Sequence, residues 1–171
     1  MNWRVMGLGM FLTVPILYFL ARGFEFDPRD LPDAVVGQQA PGFVRPTIEG
    51  YEVSLDALQG SPVVINFWAT WCEPCKAEHA HLIATAEKFK PKGVAFLGVL
   101  YVDEGSNAER YLKRAGSAYP TVVDEQQSIP IDYGVGGVPE TFVIDKNGII
   151  IKKFTGPVTQ EELSLVLEGL L

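Results

Sequence analysis

Cysteine is nearly absent: the 171-residue chain has two, and histidine is no commoner, with two as well. Both cysteines fall in one stretch, Trp71-Cys72-Glu73-Pro74-Cys75-Lys76. A structural crosslink more often joins distant segments, where a closed loop constrains the unfolded chain more strongly. A two-residue gap instead lets both sulfurs meet at the first turn of a helix, so the pair Cys72 and Cys75 reads as a reagent, reversibly dithiol or disulfide. Lys76, not histidine, follows Cys75, which excludes covalent haem attachment through CxxCH. Basic runs are missing too, and a formal charge of −7 argues against a nucleic-acid partner held through its phosphates. No internal repeat or low-complexity tract occurs, which removes solenoid and disordered readings.

What is present fits one globular domain. The hydrophobic fraction is 47% and the charged fraction 20%, and the chain without its apolar start is near the modal domain length. Val5 to Ala21 is an almost unbroken apolar run between Arg4 and Arg22. Its length lies at the short end of the roughly 17 to 25 residues that span a bilayer and beyond the roughly 7 to 15 of a signal-peptide core. No small-x-small cleavage site follows it and no cysteine is there for lipid attachment. Residues 1–22 are therefore expected to be an uncleaved N-terminal transmembrane helix. Residues 23–39 read as an extracytoplasmic tether, whose polar stretch from Glu25 to Gln39, with Pro28 and Pro32, could reach about 50 Å if extended.

From residue 40 to 171 the pattern predicts a layered α/β domain. Phe43–Thr47 and Glu52–Ser54 flank a turn at Glu49-Gly50, and Ser54 is expected to cap a short helical turn. Val63–Phe67 is an apolar run enriched in β-branched residues, expected of a strand buried on both faces. Helix formers dominate from Glu73 to Lys90, with an apolar side assigned to Ala77, Ala80, Ile83, Ala84, Ala86 and Phe89. Val94–Leu100 completes a right-handed βαβ unit. A helix over Asn107–Ala115, a short strand at Thr121–Val123 and a loop holding Pro130 follow. Thr141–Ile144 and Ile149–Phe154 form a hairpin around Asn147-Gly148, which is expected to supply positive φ, and Thr159 caps a closing helix. Asp103-Glu104 and Asp124-Glu125 are expected to be solvated loop charges.

Phe67-Trp68-Ala69-Thr70-Trp71-Cys72-Glu73-Pro74-Cys75 resembles the active-site segment of the thioredoxin superfamily, with the Gly137-Val138-Pro139 loop in the matching later position. Glu78-His79, the run Pro139-Glu140-Thr141-Phe142 and the Asp27-Pro28-Arg29 tether narrow the resemblance. They are similar to the membrane-anchored CcmG/DsbE proteins of cytochrome c maturation, within the TlpA-like group, and Glu73-Pro74 is shared with ResA-like relatives. The resemblance implies a thioredoxin-like three-layer fold with a central mixed sheet. It also implies a cis Val138-Pro139 bond that presents the Val138 backbone to an extended substrate, with Trp71, Pro74 and Glu140 beside the groove. Thioredoxins carry a buried aspartate where this chain has Asn66, and Glu78 is the replacement expected for that acid.

These residues imply a thiol:disulfide oxidoreductase working by dithiol exchange, with no cofactor. Cys72, at the helix start, is expected to attack, because unpaired amides and the helix dipole favour its thiolate. Cys75 would resolve the mixed disulfide, and Glu78, three residues on and on the same face, would take its proton. Glu73 and Glu78 oppose thiolate formation and no histidine lies between the cysteines, so the reductase direction is expected. The partners implied are apocytochrome c or haem-ligation proteins, and a membrane electron donor of the DsbD/CcdA type. The domain would sit on the periplasmic or extracytoplasmic side of the cytoplasmic membrane. Two other readings stay open: a general TlpA-like envelope reductase, and a metal chaperone or scaffold in which Cys72, Cys75 and His79 are zinc ligands.

Overall fold

The computed structural model describes residue 3, residues 11–19 and residues 35–171. Residues 11–19 are helical, and Phe11, Leu12, Ile16, Leu17 and Phe19 there are exposed. Among the described residues no helix is long and apolar enough to cross a membrane. Apart from residue 3, the rest of the expected anchor, and residues 23–34 of the expected tether, lie outside the described residues. Residues 35–39, read from sequence as tether, belong instead to the folded body. Gly37 donates its amide to the Ile150 carbonyl at 2.8 Å, the Ile150 amide donates to Gln38 at 3.0 Å, and Val35 packs on the core.

Five strands form a mixed sheet in the order β5-β4-β3-β6-β7. They are β3 (Val63–Trp68), β4 (Ala95–Leu100), β5 (Thr121–Val122), β6 (Glu140–Ile144) and β7 (Ile150–Thr155), while β1 (Val44–Pro46) and β2 (Glu52–Ser54) make a separate antiparallel hairpin. β3 runs parallel to β4 and antiparallel to β6. All six residues of β3 are buried, because both faces of the sheet are covered. Alternation then sorts its side chains. Val63, Ile65 and Phe67 join Leu97, Val99, Phe142 and Tyr133 on one face, while Val64 joins Leu82, Phe89, Val143, Leu163 and Leu167 on the other.

Within residues 35–171 the α-helices are α1 (Glu73–Phe89), α2 (Gly105–Ala115), α3 (Ser128–Asp132) and α4 (Gln160–Glu168). α1 buries Cys75, Glu78, Leu82, Thr85, Ala86 and Phe89, a stripe at steps of three and four. Ala77 and Ala80, expected on the apolar side, face solvent. Alanine stabilises a helix wherever it points, so it marks the helix without marking its face. Thr159 caps α4 as expected, in a reciprocal capping box with Glu162.

Three other local readings are corrected. Ser54 caps nothing: the brief turn is a 3₁₀ segment, Asp56–Leu58, entered through Leu55 without a side-chain cap. Pro130 lies inside α3 and not in a loop; it occupies the first turn, where its missing N–H has no intrahelical partner to lose. In the β6–β7 turn only Gly148 has positive φ (84°), and Asp145 Oδ1 accepts from the amides of Asn147 and Ile149.

Candidate active site

β3 ends at Trp68, and the chain turns through Ala69–Trp71 into α1. The turn is held from outside by the loop after β4. Asp103 Oδ2 accepts from the Thr70 amide at 2.7 Å and the Thr70 hydroxyl at 2.5 Å, while its Oδ1 accepts from the Glu104 amide and Asn107 Nδ2. Burial pushes this carboxyl up, but the hydrogen bonds from Thr70, Asn107 and Glu104 outweigh it and hold Asp103 below its ordinary value. Asp103 is therefore part of the site's frame and not the solvated loop charge expected from sequence. Asp124 is likewise 2% exposed, pairing with Arg45 at 3.2 Å and accepting the Ile129 amide at 2.7 Å, which ties β1 to α3.

Cys72 is the N-cap of α1 and Cys75 its third residue, with Pro74 tolerated in the first turn. The sulfurs are joined, and the Cys75 amide donates to Cys72 Sγ at 3.1 Å. A sulfur at this place takes one of the orphan helix amides, an arrangement that favours negative charge on it. Both cysteines are almost buried, at 3% and 5% exposure. Trp68 is a core residue, whereas Trp71 is exposed and donates its indole N–H to the Val102 carbonyl at 3.1 Å. Val102, also exposed, has φ of +44°, rare for a β-branched residue, and its amide donates to Gln127 Oε1 at 2.8 Å. Gly98 on β4 gives room to Trp68, whose indole would lie 2.9 Å from any Cβ there.

Glu78 lies below the disulfide, 1% exposed. Its Oε1 accepts from Asn66 Nδ2 at 2.8 Å and its Oε2 from the Val158 amide at 2.8 Å. Burial raises its carboxyl to about 7, and those two donors offset only part of the effect. Asn66 Nδ2 also donates to Thr141 Oγ1 at 2.9 Å, across a β3–β6 pair in register. A small cavity behind the disulfide is shared by Cys75, Asn66, His79 and Tyr119.

The Val138-Pro139 bond is cis. Glu140, expected beside the substrate groove, is instead buried at 3% exposure: its Oε1 accepts from the Gly136 amide at 3.2 Å and its Oε2 is 3.1 Å from Lys153 Nζ. It shapes the loop ahead of Pro139 from behind. Lys153 and Asp103 are the residues that sequence reading missed; a lysine on an edge strand and an aspartate after a strand carry no local mark of burial or of long-range bonding. His79, the third ligand of the zinc reading, sets Nε2 2.9 Å from the Gly116 carbonyl and its ring 5.4 Å from that of Tyr111. Among the described residues no group of three or more His, Cys, Asp or Glu is placed to hold a metal ion.

Residues 35–169 match the Redoxin family. The chain is similar to the thiol:disulfide interchange protein DsbE of Pseudomonas aeruginosa, with 37% identity over 171 residues, 96% of this chain and 92% of that protein. It is also similar to the thiol-disulfide oxidoreductase ResA of Geobacillus thermodenitrificans, with 38% identity over 135 residues, 79% of this chain and 78% of that one. A crystal structure of a thiol:disulfide interchange protein of the thioredoxin family from Chlorobium tepidum superposes with a TM-score of 0.72 at 25% identity, covering 77% of this chain and 94% of that chain. Fold, paired cysteines and relatives agree, and the chain belongs to the Redoxin family as a thiol:disulfide oxidoreductase of thioredoxin-like fold.

Proposed function

We propose that the protein is a membrane-tethered disulfide reductase of cytochrome c maturation, acting on apocytochrome c or on haem-ligation proteins. The observation that carries the reading is Cys72 Sγ at the N-cap of α1, with the buried acid Glu78 one turn below Cys75. In the reduced protein the Cys72 thiolate attacks one sulfur of a substrate disulfide, forming a mixed disulfide and releasing the first substrate thiolate. Cys75 then loses its proton to Glu78 and attacks Cys72 Sγ. The Cys72–Cys75 bond forms, the mixed bond breaks, and the second substrate thiolate leaves. Two electrons pass from the enzyme to the substrate.

Glu78 suits its part because burial brings it near neutrality, where an acceptor works best. Trp71, Pro74, Val138 and Pro139 are assigned to the substrate groove, and Glu140 to holding its loop. The exposed apolar side chains of residues 11–19 support an anchor within residues 1–22, and the redox chemistry assigns it to the cytoplasmic membrane with the domain on the periplasmic or extracytoplasmic side. In an oxidising compartment the paired cysteines of an apocytochrome close unless a reductant reopens them. That reductant must itself be recharged, and a membrane electron donor of the DsbD/CcdA type fills this place. Trapping with Cys75→Ser tests the assignment: the variant should accumulate mixed disulfides with apocytochrome c or haem-ligation proteins. Recovery of unrelated envelope proteins instead would make it a general TlpA-like reductase.

A further inference from the structure

Both oxygens of Glu78 face donors, Asn66 Nδ2 at 2.8 Å and the Val158 amide at 2.8 Å. A carboxylate only accepts, so this arrangement is complete for the charged form. Once Glu78 takes a proton, its new O–H must face an acceptor, and a backbone N–H cannot become one. An asparagine amide can, because it carries a donor at one end and an acceptor at the other. A half-turn of the Asn66 amide brings Oδ1 to Glu78. The second partner of Asn66 Nδ2 is the Thr141 hydroxyl at 2.9 Å, which accepts in the first orientation and can donate to Oδ1 in the second. Both bonds of Asn66 are thereby kept in either state, and the small cavity it borders with Cys75 leaves it unpacked on one side.

We propose that Asn66 is a positioning residue for the proton chemistry of Glu78, its amide turning over when the acid takes the proton from Cys75 and carrying that change to Thr141. Thr141 is two residues beyond the cis Pro139, so the proton state of the buried acid is coupled to the strand that follows the substrate loop. Aspartate at position 66 could not serve, since two carboxylates would share one buried place and repel. An aliphatic residue there would leave Glu78 Oε1 without its donor. The ionisable groups around the acid and the cavity beside it are Cys75 and His79 on its own helix and Tyr119 ahead of β5; burial first, and then Glu78 itself, push the Tyr119 phenol up, so it stays protonated while Glu78 titrates.

The inference rests on Glu78 as proton acceptor, and one experiment separates the two. Side-chain amide resonances of Asn66 are followed by ¹⁵N NMR from pH 5 to 9 in the full chain, assigned by their loss in Asn66→Ala, alongside the Glu78 carboxyl ¹³C signal. The expected result is one shared midpoint for both signals, disappearance of the amide titration in Glu78→Gln, and a displaced midpoint in Thr141→Val that Thr141→Ser restores. If Asn66→Ala does not fold, the Glu78→Gln and Thr141 variants carry the assignment. Amide signals that ignore pH while Glu78 titrates overturn the switch and leave the acceptor standing. A Glu78→Gln protein that resolves mixed disulfides at the wild-type rate overturns both.

Discussion

Lys153 Nζ lies 3.1 Å from Glu140 Oε2, with the two side chains only 10% and 4% exposed, behind the loop that ends at Pro139. An ion pair withdrawn from water is held by mutual attraction, and removing one member leaves the other uncompensated. Lys153→Met should therefore cost about 3 to 5 kcal/mol, and the double change Lys153→Met with Glu140→Leu clearly less. Urea unfolding of the three proteins measures this. Equal losses in the single and double variants would mean that the pair is not coupled.

The stability of the oxidised protein should depend on Glu78 with a definite sign. Its carboxyl is raised from 4.5 to about 7, so the native state keeps a proton that the unfolded chain has released between those values. The contribution is fully present below the unfolded value, declines as pH rises through about 7 and is flat beyond. Its ceiling is on the order of 3 kcal/mol, at ~1.4 kcal/mol per unit. Glu78→Gln should flatten this slope in denaturant titrations between pH 5 and 8. A variant with the wild-type slope would assign it to another group.

Asp103 holds the turn before Cys72 through two bonds from Thr70. Asp103→Ala strands the Thr70 amide and should cost about 1 to 3 kcal/mol. It should also lower kcat/KM for a protein disulfide. Unchanged stability and turnover would return Asp103 to the surface charge that its place in the sequence suggests.

In the reduced protein Cys72 should be alkylated before Cys75, and its thiolate should form below the ~8.5 of a free thiol, because the helix amide that meets Sγ favours charge there. The acids Glu73 and Glu78 limit the effect. The midpoint potential is accordingly expected nearer roughly −270 mV than roughly −120 mV. Equilibration with glutathione buffers measures it, and a value near the oxidising end would remove the reductase direction.

Much of this was legible along the chain because its physical cause is local. The run Val63–Phe67, enriched in β-branched residues, has no polar residue but Asn66 and so reads as a buried central strand. Thr159 and Glu162 satisfy each other's backbone over three residues, and Cys72 to Cys75 is a spacing that chemistry alone makes meaningful. The buried face of α1 was less legible, since alanines lie on both of its sides and only Leu82, Ala86 and Phe89 mark the core.

What tertiary structure alone decided concerns bonds between residues far apart in sequence. Asn66 reaches Glu78 and Thr141, separations of 12 and 75 residues, and Asp103 reaches Thr70 across 33. Glu140 and Lys153 become a buried pair only when β6 and β7 lie side by side. Residue identity told which groups could ionise or donate. Whether water, a backbone amide or another side chain meets them is set by strand order and register, and it is that meeting which separates a solvated charge from a buried acid near neutrality. By itself the sequence determined the reactive pair and the strand and helix that carry it; the fold decided which polar groups surround that pair and hold its proton.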